Sequence, residues 1–311
     1  MSTPKTILVT GATGKQGGAV VDALLASSTP FTILAVTRDP SSSSSTKLAA
    51  KSPSIKLVQG NLDDVASIFA EAKNQTSDPI WGVYSVQISM GKGVTTQGEI
   101  KQGNDLIDES VKNGVKHFVY SSVERGGDDK SWDNTTPIPH FQTKYEIEQH
   151  LRSAAGTQMG WTVLRPVAFM DNLAPGMPTK VFLTALRDTL KGKPIQYVAT
   201  SDIGWFAAHA FEHPEEMNHK ALGLAGWEGT FEEMEAEFTK ATGAPAGTTF
   251  SFLGSTLMYM VTELGIMIRW FGSDGYAADV KKLRGMNPGM KGLEQWIRTE
   301  SGWAKQGLVK A

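Results

Sequence analysis

Through the first half of the chain, short apolar runs rich in β-branched residues alternate with longer segments whose apolar positions recur every three or four residues. The runs at 6–10, 31–37, 55–59, 80–86, 117–121 and 161–165 predict strands, and the segments at 16–26, 64–72, 96–113 and 141–154 predict helices. Leu106, Ile107, Ser110 and Val111 show the helical stripe, and Asn113 with Gly114 supplies its C-terminal stop. Such alternation is the mark of successive βαβ units, so the expected fold class is α/β, a Rossmann-type doubly wound parallel sheet. The serine run at 41–45 reads as a short polar loop.

After Arg165 and Pro166 the alternation weakens while Gly, Pro, Trp and Met become frequent. Residues 1–165 are therefore expected to form a nucleotide-binding domain, and 166–311 a smaller, mainly helical substrate lobe, part of which returns to the sheet. Helices are expected near 180–190, 203–211, 231–241, 256–270 and 291–300. The segment 250–271 is the most apolar, but Glu263 and Arg269 interrupt it and argue for a buried helix rather than a bilayer span.

The first strand leads into Gly11, Ala12, Thr13, Gly14, Lys15, Gln16, Gly17 and Gly18, and then into a helix. Gly11 allows the tight turn, Gly14 the close approach of a pyrophosphate, and Gly17 close packing of helix on strand, with the helix N-terminus facing the phosphates. The spacing is Gly-x-x-Gly-x-x-Gly, so the strand before it and the helix after it carry the assignment. After the second strand stands Arg38, where an acid would hold the ribose 2′-OH of NAD. Arginine there favours NADP(H), although Asp39 next to it keeps an NAD reading open.

Composition narrows the partners. Among 311 residues, 30 basic and 32 acidic side chains give a net charge of −2 with no long run of either sign, which disfavours direct nucleic-acid or membrane binding. No cysteine is present, which excludes disulfides and thiolate chemistry. No secretory signal is visible at the N-terminus, so a cytoplasmic location is expected. The triplet-spaced His209, Glu212 and His213 match the H-x-x-E-H zinc motif, but Pro214 follows at once and no third ligand is indicated, so no metal is expected.

The chain resembles the NmrA-like family of atypical short-chain dehydrogenases. The resemblance is carried by the glycine turn, by Thr37 to Pro40, Gln59 to Asp64, Val119 to Ser122, the 140–148 helix, Leu164 to Pro166 with Phe169 and Asn172, and Ser201 to Gly204. It implies that Asn61 and Leu62 touch the adenine, that residues around Gln87 line the nicotinamide end, and that Phe169 closes over the cofactor.

Catalytic short-chain dehydrogenases carry Tyr-x-x-x-Lys after the fifth strand. Here His140 stands in place of the tyrosine and Lys144 is present, four residues apart on one helix face. Ser121 and Ser122 both border the usual carbonyl-binding position. Two readings follow: a reductase in which Lys144 or His140 delivers a proton to a small-molecule carbonyl, imine or enone, or a redox sensor whose NADPH or NADP occupancy a regulatory protein partner reads. A helix N-terminus after Pro139 would favour a neutral His140. A homodimer is left open.

Overall fold

The structure is a computed structural model that describes residues 4–91 and 93–310. In chain order its elements are β1 (Lys5–Val9), α1 (Lys15–Ala26), β2 (Phe31–Thr37), α2 (Ser43–Ala49), β3 (Ile55–Gln59), α3 (Val65–Gln75), β4 (Ile80–Ser85), α4 (Thr96–Lys112), β5 (His117–Ser121), α5 (Pro139–Ala155), β6 (Gly160–Pro166), β7 (Ala168–Phe169) and α6 (Met177–Leu190). They continue with β8 (Ile195–Val198), α7 (Thr200–Glu212), α8 (Pro214–Met217), β9 (Lys220–Leu224), β10 (Trp227–Gly229), α9 (Phe231–Thr242), α10 (Ser251–Met260), α11 (Thr262–Ser273), α12 (Val280–Met286), α13 (Leu293–Thr299) and α14 (Gly302–Lys305).

Two compact units share the chain. The first comprises Met1–Val123, Gln142–Arg165 and Ile203–Leu222; the second comprises Glu124–Phe141, Pro166–Asp202 and Gly223–Ala311. The main sheet has seven strands in the order β3-β2-β1-β4-β5-β6-β9, and β1 to β6 pair in parallel. This is the expected doubly wound Rossmann-type α/β fold. The six expected strands are present within a residue or so at each end; β9 is the strand that the sequence reading did not single out.

In the first unit, Ile7, Leu8, Val9, Ile33, Leu34, Val83, Phe118 and Val119 are buried, as strands covered by helices on both faces require. Val20, Val21 and Leu24 form the buried stripe of α1, which packs on β1 and β2. The serine run is not a loop throughout. Ser42 accepts a hydrogen bond from Ser45 N and so caps α2, a role serine fills because its short side chain reaches back to the first turn.

The second unit holds a three-stranded sheet, β10-β8-β7, with helices α6 and α9 to α14. Its strands have two to four residues, too short for a period to emerge from the sequence. The apolar segment at 250–271 forms two helices rather than one, bent by 117° at Val261, whose backbone leaves the helical region. Gly265 makes the elbow possible: a Cβ there would lie 2.3 Å from the carbonyl oxygen of Met258. Among the described residues no single helix is long and apolar enough to cross a membrane.

Candidate functional site

The strand order reverses between β1 and β4, the first leading outward to β2 and β3, the second to β5 and β6. Open α/β sheets bind ligands at such a switch point, outside the carboxyl ends of the strands. The ends of β1 and β4 are pinned there by one hydroxyl: Thr10 Oγ1 accepts from Val86 N at 2.8 Å and shares its hydrogen between the carbonyls of Tyr84 and Val86. Sequence reading did not single out Thr10, although a buried threonine at a strand end is its signal.

The turn that follows is built around missing side chains. Gly11 has φ +59°, and a Cβ on Gly17 would stand 2.3 Å from Gly11 O, so helix α1 starts directly against the strand end. Gly11, Thr13, Gly14 and Lys15 are exposed. No side chain caps α1 and its first turn holds no acid, which leaves outward-facing N–H groups and the positive end of the helix for an anion. These features fit a dinucleotide pyrophosphate. Gln16 is turned the other way, its Oε1 accepting from Ser121 Oγ at 2.6 Å, which ties the turn to the end of β5.

At the end of β2, Arg38 is exposed and makes no hydrogen bond or ion pair among the described residues. Asp39 is committed elsewhere: its Oδ1 accepts from the N–H and the Oγ of Ser41, and these bonds lower its pKa. Asn61 lies just beyond β3, exposed and bonded through Nδ2 to Asp63, with Leu62 half-buried beside it. Asp64 caps α3. Gln87, just beyond β4, is buried; its Nε2 donates to Ser85 Oγ at 2.8 Å, whereas its Oε1 has no partner among the described residues. An orphaned buried acceptor is costly, and a ligand donor is one remedy for it.

Lys144 is buried on α5 with its Nζ 2.6 Å from Oε1 of Glu99 on α4. Glu99 is itself buried, and it also accepts from Ser89 Oγ and Thr143 Oγ1, each at 2.8 Å. Nothing in the sequence reading pointed to Glu99. Its signal is its register: Glu99, Gly103, Leu106, Ile107 and Ser110 form the buried face of α4, so an acid sits in an apolar stripe.

The two serines beside this region are separated by their partners. Ser121 reaches Gln16, while Ser122 is buried with Glu148, which also makes a fully buried pair with Arg165 at 2.7 Å. Tyr84 and Tyr120 are fully buried too, and burial raises the pKa of the Tyr84 phenol.

In the second unit, His140 Nδ1 donates to Glu263 Oε1 at 2.5 Å, and the same oxygen accepts from His140 N at 3.2 Å, at the start of α5. The carboxylate thus fixes the imidazole tautomer and caps the helix. Glu263 lies 123 residues from His140 in the chain, so the helix dipole is the one influence on the imidazole that the sequence makes visible. Phe169 is half-buried in β7, paired with Val198 of β8. The two candidate proton donors are therefore held by different carboxylates, one in each unit.

A parallel doubly wound sheet with an uncapped glycine turn at its switch point defines a protein of the Rossmann class. Within that class the chain belongs to the NmrA-like family, whose family model matches residues 3–297. An NmrA-like family domain-containing oxidoreductase of Aspergillus hancockii is 26% identical over 335 residues, covering 97% of this chain and 96% of the relative. An NmrA-like family domain-containing protein of Dictyostelium discoideum is 27% identical over 218 residues, 68% of each chain.

Solved structures agree in fold. NmrA, a negative transcriptional regulator in complex with NADP, superposes with a TM-score of 0.72 at 17% identity over 98% of both chains. The NADPH-dependent quinone oxidoreductase of Escherichia coli, complexed with NADPH, gives 0.70 at 20% identity over 94% of this chain and 98% of that one.

Proposed function

We propose that this chain is an NADPH-dependent reductase of a small apolar or aromatic carbonyl, imine or enone. The observation that carries the reading is the buried Lys144–Glu99 pair, in the same unit as the glycine turn. Burying an ammonium and a carboxylate costs several kcal/mol per ion, and Ser89, ahead of α4, and Thr143, on α5, offset part of it as further donors to Glu99. A site that only holds a dinucleotide has less use for a buried ion pair at this position.

In this reading the turn residues Gly11, Thr13, Gly14, Lys15 and Gly17 hold the pyrophosphate, and Gln16 braces them. Asn61 and Leu62 contact the adenine, and Gln87 offers its Oε1 at the nicotinamide end. Arg38 pairs with the 2′-phosphate; the commitment of Asp39 to Ser41 removes the acid that would favour NAD. NADPH, when bound, supplies a hydride. Lys144 keeps a proton at Nζ, oriented by Glu99, for the substrate atom that accumulates negative charge. His140 has its Nδ1 committed to Glu263 in this reading.

The NmrA and quinone oxidoreductase relatives span both possibilities, regulator and enzyme. Purified protein with NADPH and a panel of quinones, aromatic ketones and enones is expected to show oxidation at 340 nm. Lys144→Met is expected to abolish it with a smaller loss of NADPH affinity, and His140→Ala to slow it less. Tight NADPH binding with no turnover on any panel member replaces this reading by the sensor.

A further inference from the structure

In the sequence, two features count against metal binding by the H-x-x-E-H segment: Pro214 after the helix and the lack of a third ligand. The structure alters both. The ladder of α7 runs one residue past Glu212, His213 N donating to His209 O at 2.9 Å, and Met217 N continues it to His213 O at 3.0 Å. Pro214 occupies the first position of α8, where its missing N–H costs nothing. His209 and His213 thus stay one turn apart on one face, their ring centroids 4.4 Å apart.

Glu212 points to the same place, and one ligand atom from each of His209, Glu212 and His213 lies within 4.8 Å of the others. Two second contacts hold the donors. Trp205 stacks on His209 at 4.7 Å with the planes 11° apart, and Ser27 Oγ, at the end of α1, donates to Glu212. The histidines are half-buried and exposed respectively, so an ion has access.

We infer that His209, Glu212 and His213 form a zinc site on the first unit, independent of the dinucleotide site. Two imidazoles and a carboxylate make the donor set that Zn²⁺ takes with water completing a tetrahedron, and the absence of thiolate disfavours softer ions. The ion would tie the end of α7 to the end of α1 through Glu212 and Ser27, as a brace for the helices that cover the sheet.

The test uses the full chain, stripped with chelator and titrated with ZnCl₂. One ion per chain and a rise in melting temperature are expected, with X-ray absorption at the zinc edge reporting nitrogen and oxygen neighbours. His213→Ala, an exposed change that leaves the fold intact, is expected to weaken zinc binding at least tenfold and to remove the melting shift. His219→Ala, whose ring packs on Trp161, is expected to leave both unchanged. The proposal is overturned by no stoichiometric binding, or by binding that His213→Ala and Glu212→Gln leave intact, which would mark an adventitious ion only.

Discussion

Lys144 Nζ and Glu99 Oε1 meet at 2.6 Å between α5 and α4, with both side chains nearly closed to solvent. A buried pair of this kind is asymmetric in its response to change: removing one partner leaves an uncompensated charge, at a cost of about 3–5 kcal/mol. Glu99→Gln preserves shape but not charge. It is expected to lower kcat on a quinone or enone substrate at least tenfold and to shift the pH profile of kcat, with a smaller change in the dissociation constant of NADPH. A loss confined to thermal stability, with kcat and its pH profile intact in the folded fraction, would assign Glu99 a structural role alone.

Arg38 and Asp39 answer differently to substitution because one is uncommitted and the other is locked to Ser41. A charge-assisted bond to phosphate contributes about 1.5–3 kcal/mol, so Arg38→Ala is expected to weaken NADPH binding roughly 10- to 100-fold while NADH binding changes little. Asp39→Ala is expected to leave the ratio of the two affinities within about twofold. Fluorescence titration of both nucleotides on the three proteins measures it; a ratio that follows Asp39 instead would make the site an NAD site.

These two sites also show what sequence alone made legible. Strands β1, β2, β4, β5 and β6 stood out because most of their positions are buried on both faces, the edge strand β3 because its apolar residues alternate with exposed Lys56 and Gln59, and the glycine turn because only glycine tolerates the approach of Gly17 to Gly11 O. The second sheet did not, since β7 has two residues and β10 three. The elbow at Val261 was hidden because its apolar positions suit one helix as well as two. Glu99 and Glu263 were missed for another reason. Each acts on a residue 45 or 123 positions away in the chain, and such pairings exist only once the helices are packed.

Arg165 and Glu148 form a fully buried pair in the first unit, with Ser122 donating to the same carboxylate. Arg165→Met is expected to lower unfolding stability by about 3–5 kcal/mol, since Glu148 would be left buried without its counter-charge. Adding Glu148→Leu should recover much of that loss, because a hydrophobic replacement of both partners is often neutral. Denaturant midpoints of the single and double variants decide the point. Equal destabilisation by the double variant would mean that packing rather than charge governs this position.

His117 gives the first unit a specific weakness in acid. It sits at the start of β5, stacked on Trp81, and burial holds its pKa down at about 4, with Lys5 and His219 adding repulsion. Thr162 Oγ1 spends its hydrogen on Met217 O, so His117 Nε2 must donate to it at 2.9 Å, which fixes the neutral tautomer. The unfolded chain takes up this proton near pH 6.5 and the folded chain only near pH 4. Stability from His117 is therefore fully present above about pH 6.5 and is lost as pH falls toward 4, by about 2 kcal/mol at pH 5. Asp202, which burial pushes up to about 6, works with the opposite sign, since there the folded chain holds the extra proton between about 4 and 6. The wild-type curve alone mixes the two, so the informative quantity is the difference from His117→Phe. That difference should shrink from pH 8 to pH 5 as the wild type loses its advantage; a constant gap across this range would show that His117 titrates alike in the folded and unfolded chain.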